Sequence, residues 1–112
     1  MWDVDATEEY LDWFREQDPD AQGALLCKVI LLEEFGPKLG RPHADTLKGS
    51  SVKNLKELRV RTRAHVLRVL YYFDEGRHAL LLIGGDKKGK NEKDFYDRLI
   101  KTAETLIQRY RR

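Results

Sequence analysis

A chain of 112 residues, 41% hydrophobic and 36% charged, has the size of one domain with a true core; it is too apolar for a disordered chain and too polar for a membrane protein. Its net charge of +2 conceals an asymmetry: residues 1–34 carry ten acids against two bases, net −8, and the remainder carries nine acids against nineteen bases, net +10. The basic part therefore implies a polyanionic partner. The longest aliphatic run, Ala79 to Ile83, is far too short to span a bilayer, and the acidic start has no basic-then-apolar leader. A lone cysteine, Cys27, excludes an internal disulfide and fits a reducing, cytoplasmic setting.

In chain order, Trp2 to Asp5 reads as a short strand. Asp5 and Glu8 have capping-box spacing ahead of a first helix with Tyr10, Trp13, Phe14 and Gln17 on one face. Asp18-Pro19, a cap followed by proline at the first helical position, starts a second helix. Leu25, Leu26, Val29, Ile30 and Leu32 give that helix a broad buried face, Cys27 reads as a small core residue within it, and Gly36-Pro37 ends it. Trp2, Trp13 and Phe14 read as packing residues. Residues 36–54, rich in Gly, Pro and Ser, form a loop. Leu55–Arg61, His65–Phe73 and Arg77–Gly84 read as strands, with Asp74-Glu75-Gly76 turning between the last two. Asn91 with Asp94 caps a final helix lined by Phe95, Leu99, Leu106 and Tyr110. The order β-α-α-β-β-β-α predicts one α+β domain over 1–112: a small antiparallel sheet with helices packed on one face.

Side chains two apart on a strand point the same way, so Glu57, Arg59, Arg61 and Arg63 form a row on the uncovered face. Arg68 joins it from the next strand, with Tyr71, Tyr72 and Phe73 as aromatic surface, and the Gly84–Lys90 loop adds Lys87, Lys88 and Lys90 just before Phe95 and Tyr96. Guanidinium groups grip phosphate oxygens in pairs and exposed rings stack bases, so this face suits single-stranded nucleic acid. Lys56, Arg63, Lys90 and Phe95 are the expected outer RNA contacts. The three histidines, His43, His65 and His78, are scattered and no metal-ligand spacing occurs, which points to chemistry without a metal or other cofactor. RNA brings its own nucleophile, the 2′-hydroxyl, so cations and one proton-transfer group would suffice. Asp94, Glu57, His65 and Tyr96 can each transfer protons, and spacing does not choose among them. Gly84-Gly85-Asp86-Lys87-Lys88-Gly89 lacks the P-loop spacing, which argues against nucleotide hydrolysis.

Leu55-Lys56-Glu57-Leu58-Arg59, then Leu67 to Phe73, then Leu80 to Lys87, resemble the RelE/ParE superfamily. The Gly36-Pro37-x-Leu39-Gly40-Arg41-Pro42 loop and the Trp2 start are similar to its HigB-like, phage-related Gp49-like branch. The resemblance implies a cytoplasmic type II toxin: an mRNA endonuclease (an mRNA interferase) that inhibits translation at the ribosome. It also implies no cofactor, no membrane, and a cognate helix-turn-helix antitoxin. It places the activity on Arg59 and Arg61, on Arg68, on Lys87 or Lys88, and on Tyr96. Tyr96 would accept the 2′-hydroxyl proton, its phenol pKa lowered by the cations around it. Two alternatives remain open at this point: a ParE-like inhibitor of DNA gyrase on the same fold, and a non-catalytic nucleic-acid-binding module.

Overall fold

A computed structural model describes residues 1–75 and 78–111, so Gly76 of the expected hairpin turn and Arg77 of the expected strand lie outside the described residues. Strand β1 spans Asp3–Ala6, and α1 follows at Glu8–Arg15. The cap of α1 is Thr7, not Asp5, which is still in the strand; the Thr7 hydroxyl accepts from the Tyr10 N–H at 2.9 Å and donates to the Leu82 carbonyl at 2.6 Å. Helix α2, Pro19–Phe35, starts as expected: the Asp18 carboxylate accepts from the Ala21 N–H at 2.8 Å and proline opens the first turn. It stops at Gly36, whose φ of +57° favours glycine and where a Cβ would overlap the Trp2 ring. The expected loop then holds a 3₁₀ turn, Gly36–Lys38, and a short strand β2, Ala44–Thr46. Strands β3 (Lys56–Arg61), β4 (Val66–Asp74) and β5 (His78–Asp86) follow, and Asn91 caps α3, Glu92–Tyr110.

The five strands lie in the order β1-β5-β4-β3-β2. All neighbours are antiparallel except β1, which joins β5 in parallel. The α+β class holds, but the helices do not share one face. Leu25 and Leu32 of α2 pack with Leu58, Val60, Leu67 and Val69. Helix α3 lays Phe95, Leu99, Ala103 and Ile107 on Leu55, Leu70, Tyr72 and Leu82. The reason is in β4, whose consecutive buried residues Val69, Leu70, Tyr71 and Tyr72 are apolar toward both faces and need cover on both. Each such leucine, fully buried, contributes roughly 1.5–3 kcal/mol. Tyr71 and Tyr72 are therefore core and not an aromatic surface.

Helix α2 also departs from expectation. Leu26 and Ile30 are exposed and Cys27 is on the surface, because the buried line runs through Ala21, Leu25 and Leu32. Apolar residues around most of the helix hide which line faces the sheet. Tyr110, the last residue of α3, is exposed as well.

Candidate functional site

Along β3 the apolar residues Leu58 and Val60 face α2, which sends Glu57, Arg59 and Arg61 to the face that carries α3. Helix α3 covers the apolar part of that face and leaves the arginine end open. Arg59 stands directly across from Arg68 in the β3–β4 ladder. Glu57 and Arg68 are both buried, and the Arg68 Nε lies 3.4 Å from the Glu57 Oε1. From the second turn of α3, the Tyr96 hydroxyl donates to Glu57 Oε1 at 2.6 Å and accepts from Arg68 Nε at 3.1 Å. A second Arg68 nitrogen donates to the Leu67 carbonyl at 3.0 Å. A buried carboxylate, a buried guanidinium and a phenol thus share one bonded cluster in which each charge has a partner, the condition on which burying them depends.

The cluster decides the protonation of Tyr96. Burial, and then the bond it donates to Glu57, push its phenol up to about 12, against the opposing pull of Arg68. The expectation that neighbouring cations lower this pKa is overturned, because the nearest group is an anion that needs the phenol proton. Tyr96 is a neutral donor at physiological pH. Glu57 Oε2 carries no hydrogen bond among the described residues, and the sealed side-chain polar atom without a partner is the hydroxyl of Tyr71, so Oε2 keeps contact with solvent.

Lys87 enters the cluster through a bulge. Leu70 pairs with Ile83 but Tyr71 pairs with Leu81, so β5 carries one extra residue there. Beyond it the alternation of β5 is inverted: Gly84 meets the Trp13 ring on the α1 side and Gly85 meets Phe95 on the α3 side. Lys87 consequently sits 5.8 Å above the Tyr96 ring and is paired with Glu92 at 2.8 Å. That pair holds the Glu92 carboxyl below its usual range, with Arg68 and Arg59 adding to the effect. Lys88, one residue on, reaches back instead to the Ala64 carbonyl at 3.1 Å.

The phage-derived Gp49-like family matches residues 12–108 of the chain. The chain belongs to this family. The HigB3 toxin of Mycobacterium tuberculosis is 42% identical over 92 residues, covering 82% of this chain and 78% of HigB3. HigB2 of the same organism is 36% identical over 107 residues, 95% of this chain, which spans about half (52%) of that relative's length. In fold, a mutant of the E. coli toxin RelE in the free state superposes with a TM-score of 0.60 at 16% identity, covering 96% of both chains. The intact E. coli RelBE toxin–antitoxin complex gives a TM-score of 0.59 at 16% identity, covering 82% of this chain and 99% of the matched chain. The Gp49-like protein is thus similar to HigB toxins in sequence and has the RelE fold.

The remaining expected site residues of this Gp49-like chain scatter. Strand β3 ends at Arg61, so Arg63 leaves the row and sits in the β3–β4 turn. Lys56 has the parity of Leu58 and binds the Thr46 hydroxyl at 3.1 Å, away from the row. Phe95 is buried against Gly85 and cannot stack a base, and Lys90 lies 5.9 Å over its ring. Lys90 and Asp94 line a separate cavity of about 670 Å³ with Trp13, Gln17 and Arg98. His65 is remote too: its ring bridges Asp86 at 2.6 Å and Asp18 at 2.7 Å, joining the end of β5 to the start of α2. Of the four proton-transfer candidates, the fold brings Glu57 and Tyr96 together beside Arg59, Arg68 and Lys87 and leaves Asp94 and His65 elsewhere. Among the described residues no three His, Cys, Asp or Glu side chains gather as metal ligands, and no helix is long and apolar enough to cross a membrane.

Proposed function

We propose that this Gp49-like protein is the toxin of a type II toxin–antitoxin pair: a cytoplasmic, metal-independent endoribonuclease that cuts mRNA at the ribosome. One observation carries the reading: a buried carboxylate bonded to Tyr96 and set beside Arg68, with its second oxygen free of hydrogen bonds among the described residues, at the arginine end of the sheet. Arg59 and Arg61 seat the phosphate. The 2′-hydroxyl oxygen attacks the adjacent phosphorus while its proton passes to Glu57 Oε2. Arg68, held rigidly by Tyr96 and the Leu67 carbonyl, faces the charge that builds on the phosphoryl oxygens. The bond from phosphorus to the 5′ oxygen breaks, Lys87 gives that oxygen a proton, and the products are a 2′,3′-cyclic phosphate and a 5′-hydroxyl. Tyr96 is a positioning residue: its donated bond fixes Glu57 and keeps Oε2 turned outward.

The uneven charge of the chain fits a substrate on the basic face and leaves the acidic helices outside it. The antitoxin partner is inferred from the complexes its fold relatives make. Induced expression followed by mapping of mRNA 5′ ends tests the reading. Cuts inside translated codons are expected, and with purified protein and ribosomes a chelator selective for transition metals, which leaves the ribosome's Mg²⁺ in place, should not diminish them. DNA damage without cuts would transfer the chain to gyrase inhibition, and neither outcome would leave a binding module.

A further inference from the structure

The arginine row does not stop at the sheet face. Strand β2 covers β3 only as far as Leu58, so beyond it the outer edge of β3 lies open. The segment before β2 folds along that edge, where the Arg59 N–H donates to the His43 carbonyl at 2.8 Å. A cavity of about 480 Å³ opens there, lined by Ala24, Lys28, Arg41, Pro42, Arg59, Val60, Arg61 and Arg68. Five of these eight are cations and none is a carboxylate.

Two of the five have no place in the chemistry described above. Lys28 comes from α2, the acidic part of the chain, and its ammonium donates to the Nδ1 of His43 at 2.8 Å. An ammonium can only donate, so the imidazole holds it without cancelling its charge. Arg41 pairs at 2.8 Å with Asp45, a contact that is 71% exposed on the arginine side and that a phosphate can replace at little cost. Asp45 is held below its usual carboxylate range by its bonds to Arg41 and the Thr46 N–H, with the charges of Arg41 and Arg59 adding to the effect.

We propose that Lys28 and Arg41 form a second phosphate subsite, which holds the RNA phosphodiester neighbouring the one that is cut. The proposal rests on the ribonuclease reading and deepens it. Arg59 and Arg61 line both the open face and the edge cavity, so a strand seated on them runs on toward Lys28 and Arg41. Grip on a neighbouring phosphate fixes register without reading a base. His43 sets the height of the Lys28 ammonium in the cavity.

The test uses 2′-O-methyl hexanucleotides, which lack the attacking hydroxyl and are not cut, titrated against the wild type and the double variant Lys28→Ala/Arg41→Ala. Each phosphate is replaced in turn by a neutral methylphosphonate. In the wild type, neutralising the phosphate next to the scissile position weakens binding several-fold. In the double variant that one replacement has no further effect, while the others cost what they cost before. The slope of log K against log salt falls by about 0.7 for the single lost contact. Lys28→Arg restores the wild-type pattern at its half of the subsite if charge and not fold is at stake. Equal costs at every phosphate in both proteins, or an unchanged slope, overturn the subsite and leave the ribonuclease reading standing. If the wild type binds no hexanucleotide away from the ribosome, inorganic pyrophosphate decides the cavity separately, and the mapping of mRNA 5′ ends still decides the ribonuclease reading. A rise in melting temperature in the wild type but not in the double variant supports an anion site, and no rise in either overturns it.

Discussion

Replacing Tyr96 by Phe separates a catalytic phenol from a positioning one. The ring stays, with its edge contact to Phe95 and its place under Lys87; what is lost is the 2.6 Å bond to Glu57 and the 3.1 Å bond from Arg68. Hydrogen bonds to charged groups are worth roughly 1.5–3 kcal/mol each, but Tyr96 is only half-buried, so the pair should cost about 2–3 kcal/mol in urea unfolding. For a domain near this size that is a fall of roughly 10–15 °C in melting temperature. Glu57 loses its strongest fixed donor, so single-turnover cleavage should drop by about 10–100-fold, or roughly 1.4–2.7 kcal/mol of barrier. The pH profile then carries the discrimination. With Glu57 as base and the Lys87 ammonium as acid, the wild-type rate shows no climb through alkaline pH. Were Tyr96 the base, the rate would climb through alkaline pH until its phenol ionises near 12. A wild-type rate rising tenfold per pH unit above neutrality would refute the positioning role.

Three further outcomes are expected. Arg59→Ala with Arg61→Ala should lower the salt slope of RNA binding by about 0.7, since the two arginines seat one phosphate and each phosphate contact on a single strand contributes about that much; an unchanged slope would remove both from the interface. His65 is raised above 6.5 by its hydrogen bonds to Asp86 and then Asp18, so it contributes stability that is full below about 6.5 and lost as pH rises through the raised value. Asp18, held low by the Ala21 N–H and His65, contributes above its usual 3.8, and that share is lost as pH falls through the lowered value. Asp86 behaves likewise, although burial alone would raise it, because the Lys88 N–H, His65 and the Val66 N–H outweigh burial. Urea midpoints measured across pH should therefore fall toward both ends, and His65→Gln should remove the fall on the alkaline side. Gly84→Ala would drive a Cβ into the Trp13 ring and should cost about 1–3 kcal/mol; an unchanged urea midpoint would refute the packing of α1 on β5.

Much of this was legible from residue types and short spacings, because the forces concerned are local. Asp18-Pro19 and Asn91 are caps whose partners lie three residues away, so they read correctly. The two-residue alternation of β3 placed Glu57, Arg59 and Arg61 on one face, and the same rule failed at Arg63 only because the strand had ended. Long-range geometry decided the rest. The bulge between Leu70 and Tyr71 inverts the parity of β5, and that one extra residue, invisible in the composition of the strand, brings Lys87 to Tyr96 and turns Lys88 away. Tyr96 and Glu57 are thirty-nine residues apart in sequence, so nothing local could show that the phenol would meet an anion before a cation and be pushed up and not down. Lys28 sits in the most acidic part of the chain, and only the docking of α2 against the open edge of β3 carries its charge to the arginines. Capping and alternation depend on residues within a few positions of one another; a pKa or a cavity depends on whatever the fold sets within a few ångströms.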